Sequence, residues 1–272
     1  MRKSIFVLCI LLAGGFAALC GCAPVSSAEA PDADAPAAAA QPSDAQTVTV
    51  ADIIATEPPP QYAGMDVVES TGIVEWAQYP FPKNMVSLAD AVVYGTVTGK
   101  EYVNFGADAW TKFDFAAEQT LLGEAPAAPA LTIYSSGGYL SQYDQLMAEG
   151  ARARVPDRTD AQLQNTIVHE HADYHFDPLV GSKYILFLTH TTPDTALPAD
   201  SYQIVGARFC QLCETAPDTF SYIAFGPDPD DPDAVFSPDD PVVQMTRSEV
   251  EALLGEAPSQ SRTEKATGSA AG

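Results

Sequence analysis

The apolar positions of this 272-residue chain fall mostly into short runs that alternate with polar residues or stay continuous, and glycine or proline closes most of them. That rhythm belongs to strands, because side chains along an extended backbone point to opposite faces in turn. Asp90-Ala-Val-Val-Tyr-Gly-Thr-Val-Thr-Gly99 is β-branched and bounded by glycine, and Met85 to Asp90 ahead of it reads as a short helical turn. Phe113, Phe115, Leu121 and Leu122 carry a second strand that stops at Gly123. Leu131-Thr-Ile-Tyr-Ser-Ser136 is a third, stopped by Gly137-Gly138. Lys183-Tyr-Ile-Leu-Phe-Leu-Thr-His190 is almost wholly apolar, which places it centrally with both faces buried. Tyr202 to Phe209 and Ser221 to Phe225 complete the series. Together they predict an all-β (β-rich) domain, a barrel or small sandwich of about five to six strands.

Two departures from the strand rhythm predict helix. Residues of about 139–180 interrupt the strands, and Gln, Ala and Leu between Ser141 and Arg152 predict a mainly helical insert. Thr246-x-x-Glu249 ahead of Val250, Leu253 and Leu254, with Gly255 beyond, is the signature of a capped, short C-terminal helix.

The two ends are different in kind. Ala23 to Pro60 holds no Lys, Arg or aromatic residue and is dominated by Ala, Pro, Ser, Asp and Glu. A segment so poor in large apolar groups cannot offset its ordering entropy, so residues 22–64 are expected to be a disordered tether and 256–272 a disordered tail. The globular domain is then 65–255. Before the tether, Arg2 and Lys3 precede an apolar run from Ile5 to Leu19 that is shorter than the roughly 20 residues a spanning helix needs. Residues 1–21 therefore read as a signal peptide. Its end, Leu19-Cys20-Gly21-Cys22, resembles the lipobox of bacterial lipoproteins. That resemblance implies cleavage before Cys22, lipid (diacylglyceryl and acyl, palmitate-type) on its thiol, and attachment to the extracytoplasmic face of the cell membrane. Acyl chains hold firmly because each buried CH₂ contributes about 0.8 kcal/mol.

Charge narrows the partners. The formal net charge is −23, from 36 acidic against 13 basic residues, and removing Arg2 and Lys3 makes the mature chain more negative still. Such a surface repels phosphate backbones and anionic lipid alike. Nucleic acid is excluded as a partner, the lipid is left as the membrane contact, and the ligand is expected to be a protein or small molecule. A further resemblance rests on Ala89-Asp90-Ala-Val-Val-Tyr-Gly-Thr-Val, Phe113-x-Phe-x-x-Glu-x-x-Leu-Leu-Gly123, Gly137-Gly138 and Gly181-x-x-Tyr-x-Leu-Phe-Leu188. This order is similar to a group of exported bacterial β-barrel domains of OB-like fold. It implies an OB-like barrel over about residues 85–225 and brings no catalytic residues with it.

Candidate chemistry lies in four places. His169-Glu-His171-Ala-Asp173-Tyr-His175 puts three of the four histidines within seven residues. On a strand His169, His171, Asp173 and His175 share a face, although His175 needs a bend to meet His169; on a helix His171 and His175 are one turn apart. Two imidazoles suit zinc or copper, with Asp173, Cys210 or Cys213 to complete the set. The alternative is a solvated polar segment whose neighbours Glu170, Asp173 and Asp177 favour the charged imidazolium. Cys210-Gln-Leu-Cys213 follows a strand instead of opening a helix, so a local disulfide is expected ahead of metal ligation or thiol exchange. Asp228-Pro-Asp-Asp-Pro-Asp233 lacks the glycine and closing glutamate of a calcium loop and reads as a solvated acidic turn. Arg152, Arg154 and Arg158 form the basic cluster, expected to pair within the fold. No G-x-S-x-G, H-E-x-x-H or glycine-rich phosphate loop occurs. The expected function is a non-enzymatic, membrane-tethered binding or interaction module. The alternative is a metal-handling or thiol-redox lipoprotein.

Overall fold

A computed structural model of the chain describes residues 48–54, 58–71, 80–124, 126, 128–192, 196–226 and 241–255, all within the compact unit Ser43–Gly272. The expected signal peptide and tail, Cys22 and the acidic stretch Asp228–Asp233 lie outside the described residues. The first half runs α1 (Val50–Ile54), β1 (Asp66–Ser70), α2 (Pro82–Met85), β2 (Ala91–Phe105), β3 (Asp108–Gly123), β4 (Ala130–Ser136) and β5 (Gly138–Ser141). It continues with α3 (Gln142–Ala148), α4 (Asp160–Gln164), β6 (Thr166–Glu170), β7 (Lys183–His190), β8 (Tyr202–Ile204), β9 (Leu212–Ala216), β10 (Thr219–Ile223), β11 (Val242–Thr246) and α5 (Arg247–Gly255). The protein is mostly β, as expected. No helix among the described residues is long and apolar enough to cross a membrane.

The eight-stranded sheet has the order β11–β10–β9–β7–β2–β3–β4–β8, and β8 also pairs back onto β7. The pairings therefore run β7–β2–β3–β4–β8 and return to β7, a ring of five strands. Its order β7–β2–β3–β4 is that of a Greek key: three hairpin-linked strands and a fourth that returns beside the first. β4 and β8 are parallel; the other contacts in the ring are antiparallel. A second sheet, β1–β6–β5, is built from the segment before the ring and from the insert.

Alternation along the strands sorts side chains into two cores. Val93, Val97, Phe113, Phe115, Ile133, Leu186 and Leu188 form one. Val92, Ile185, Phe187, Leu212 and Phe220 face the other way and meet Met85, Val250 and Leu254. β7 contributes to both, which is the physical reason for its continuous apolar run. The terminal helix is fixed over the second core by the expected capping box: Glu249 N donates to Thr246 Oγ1 (3.4 Å), and the Glu249 carboxylate accepts from Thr246 N (2.6 Å).

Four expectations need correction. Eleven strands occur among the described residues against about five to six, because the additional strands (β1, β5, β6, β9, β11) are too short to show a period of their own. The insert is mixed: α3 and α4 form, but β5 and β6 bracket them as an antiparallel pair. Tyr202 to Phe209 is not one strand, since Gly206 (φ 78°) and Ala207 (φ 50°) turn the chain into a 3₁₀ turn after Ile204. Finally, ordered packing begins before residue 65, with Val48 and Ile53 on the first core.

Candidate functional site

The chain reaches the site through two glycines. Gly137 and Gly138 join β4 to β5 at φ 95° and 146°. A Cβ on Gly137 would stand 2.8 Å from Glu170 O and 3.1 Å from the Cβ atoms of both His171 and His175. Glycine here does more than turn the chain: it lets β5 lie against the histidine segment, where Tyr139 stacks on His169 at 4.3 Å between ring centres.

β6 ends at Glu170, and His171 then takes a left-handed conformation (φ 59°). His171 O accepts from Tyr174 N (2.9 Å) and His175 N (2.7 Å), a tight turn that folds His175 back toward His169. The required bend is therefore present, and it brings two histidines together while leaving the third aside. His169 Nε2 lies 3.1 Å from His175 Nδ1, and His175 Nε2 lies 2.6 Å from Thr111 Oγ1. The Thr111 hydroxyl donates to Gly137 O at 3.1 Å. These contacts form one chain from His169 through His175 to Thr111 and the Gly137 carbonyl. His171 instead bonds and stacks with Tyr174, and Asp173 is exposed.

Both paired rings are held below the ordinary histidine range. Burial pushes the His175 imidazole well below the ordinary histidine value, helped by His169, Lys100 and Arg208. His169 is lowered mainly by burial as well, against the opposing pull of Glu69 and Asp177. The expectation that nearby carboxylates favour imidazolium thus fails for this pair, because burial outweighs their pull; two of those carboxylates have partners of their own. Glu170 accepts from Ala109 N (2.6 Å) and Gln145 Nε2 (2.9 Å). Asp177 accepts from Lys100 Nζ (2.7 Å) and Tyr102 OH (2.9 Å).

Beside the pair lies a cavity of about 350 Å³. Its polar wall is Lys100, Tyr139, His169, His175, Asp177 and Arg208. Phe176, Leu179, Tyr184 and Ile223 supply an apolar wall, and Pro58 to Pro60 reach it from the N-terminal side. The size and mixed lining are those of small-molecule sites.

The cysteines are elsewhere. Cys210 and Cys213 are free thiols; the first belongs to the second core, the second to the first core. Facing opposite sides of the sheet, they do not form the expected disulfide. Burial raises both thiols, Cys213 to about 12 and Cys210 well above its usual value. Neither lines the cavity. Both His175 ring nitrogens are engaged, and no group of three His, Cys, Asp or Glu among the described residues is arranged to hold a metal ion. The five proposed side chains therefore split into unrelated features. Arg152 and Arg158 brace the insert, the first on Asp160 (2.7 Å) and the second on Thr166 Oγ1 (2.7 Å).

Sequence reasoning passed over Tyr139, Thr111 and Arg208. Gly137-Gly138 was the available signal for Tyr139; nothing local marks Thr111 or Arg208. No protein-family model, curated protein or solved structure matches the chain.

Proposed function

We propose that this chain is a lipid-anchored, extracytoplasmic binding module whose OB-like barrel and insert hold a small-molecule ligand in the cavity beside His169 and His175. The observation that carries the reading is that cavity: about 350 Å³, with an apolar wall facing a polar one of ordered side chains. The OB-like assignment is supported by the five-strand ring and its Greek-key order, since OB folds are five-stranded, partly open Greek-key barrels. The anchor is supported by Leu19-Cys20-Gly21-Cys22 at the end of a short apolar run. A hydrogen-bonded histidine pair that resists protonation suits recognition: it presents dipoles instead of a reactive charge.

Two measurements test the halves separately. Cys22→Ser protein should leave the membrane fraction; equal partitioning of the variant and the natural form would end the anchor reading. For the cavity, a small-molecule fragment set followed by amide NMR should shift residues near 169–177 and 206–211 together. Those shifts should vanish in Ala172→Trp, which places an indole at the cavity wall. Binding unaffected by that block, or no binding at all, would remove the cavity from consideration.

A further inference from the structure

Arg208 is the anomaly of the cavity. Among the described residues, the half-buried basic side chains Lys100, Lys112, Arg152, Arg158, Lys183 and Arg247 each hydrogen-bond a carboxylate, amide or hydroxyl oxygen. Arg208 is also half-buried and lines the cavity, yet its guanidinium has no such partner among the described residues. A shortage of carboxylates is not the reason, since the chain carries 36 acidic residues against 13 basic ones. The charge of Asp173 acts on Arg208, but that residue is exposed and forms no ion pair with it. Asp52 also lines the cavity, but its carboxylate is engaged by its own turn, accepting from Thr49 N (2.7 Å) and Thr49 Oγ1 (2.6 Å). The Lys100 charge is matched by Asp177 at 2.7 Å, which leaves Arg208 as the cation of the wall with no carboxylate bonded to it among the described residues.

The backbone that carries Arg208 is built, not loose. A Cβ on Gly206 would meet Cys210 Sγ at 2.4 Å, so the left-handed turn packs directly on the core. Gln211 Nε2 donates to Val205 O (2.8 Å) and Ala207 O (3.0 Å), and Arg208 N donates to Tyr174 O (3.2 Å), tying this turn to the histidine turn. Burial also lowers the Arg208 proton affinity, the mark of a cation short of solvent. Its nitrogens are not sealed away from solvent, so the half-buried, planar guanidinium is open to a forked bond with an oxyanion that enters the cavity.

Resting on the cavity reading above, we infer that the ligand is a small organic acid: its carboxylate is held by Arg208, and its apolar body lies on Phe176, Leu179, Tyr184 and Ile223. Benzoate and its neutral counterpart benzamide are the probes, with inorganic phosphate as a bare anion, titrated into the full mature chain and followed by NMR. The wild type should bind benzoate at least about tenfold tighter than benzamide, the size expected of a charge-assisted contact. Arg208→Gln should bring the ratio to about one, while Arg208→Lys keeps part of it, and equal urea midpoints for wild type and variants confirm that they fold. The wild-type ratio itself decides the matter if a variant fails to fold. Equal binding of the two aromatic probes, blocked by Ala172→Trp, would overturn the anion assignment and leave the cavity standing. Phosphate binding as tightly as benzoate would overturn the apolar half. Binding of none of the three would overturn the cavity reading together with this one.

Discussion

At the scale of single residues, the histidine cluster shows how one backbone angle redistributes chemistry. A strand through 169–175 would have displayed His169, His171 and His175 on one face. The left-handed turn at His171 removes that residue to Tyr174 and returns His175 to His169. Both paired imidazoles take up protons less readily in the fold than the ordinary value of 6.5 allows. As pH falls through about 6.5, the unfolded chain therefore binds protons before the folded one does, and stability declines. Lys100 and Arg208 push in the same direction; Glu69, Asp173 and Asp177 oppose it without prevailing. Urea midpoints measured from about pH 7.5 to about pH 5.5 should drop, each histidine contributing up to about 1.4 kcal/mol per pH unit. His175→Gln should flatten that slope. A midpoint that stays level or rises over the same range would contradict the neutral buried pair.

Elements were legible in the sequence wherever burial imposed a regular period. β2, β4 and β7 each carry enough buried β-branched or aromatic residues to be read directly, and α5 announces itself by its cap. β1 shows the opposite case: two of its five residues are half-buried next to each other's exposed neighbours, and it exists because β6 pairs with it in parallel from 100 residues on (Asp66 with Thr166). No local pattern encodes such a partner. The site was half legible for a related reason: His169 and His175 stand out as residues, whereas Thr111 and Arg208 arrive from distant elements. The Gly137-Gly138 link is the element on which that convergence depends. Gly137→Ala should cost about 2–4 kcal/mol, since it adds a clash with Glu170 O to a positive φ. Gly150→Ala, also at positive φ (63°) but with nothing within 4 Å of the new Cβ, should cost only about 1 kcal/mol. Urea denaturation of the two variants checks the difference; equal losses would mean that steric access beside the histidines is unimportant.

For the molecule as a whole, the decisive fact is that one sheet serves two cores. Leu186 and Phe187 are adjacent and fully buried, yet they belong to opposite sides. Leu186→Ala should cost about 2–5 kcal/mol and Phe187→Ala about 3–5 kcal/mol. Because β7 cannot leave one core without leaving the other, each substitution should shift one transition seen together by near-ultraviolet and far-ultraviolet circular dichroism. Two separated transitions, with Leu186→Ala moving just one of them, would show that the cores melt independently.

The ring itself is completed by very little. β8 has three residues, and Gln203 stands opposite Tyr134 on one neighbour and Thr189 on the other. The long β2–β3 hairpin, by contrast, pairs from Ala91 with Gly123 out to Phe105 with Asp108. A proline at 203, which has no amide hydrogen to offer, would weaken the ring of pairings along one seam and leave that hairpin intact. Arg208 follows β8 by only a few residues, so the weakest seam of the ring is also the one nearest in sequence to the cation beside the cavity.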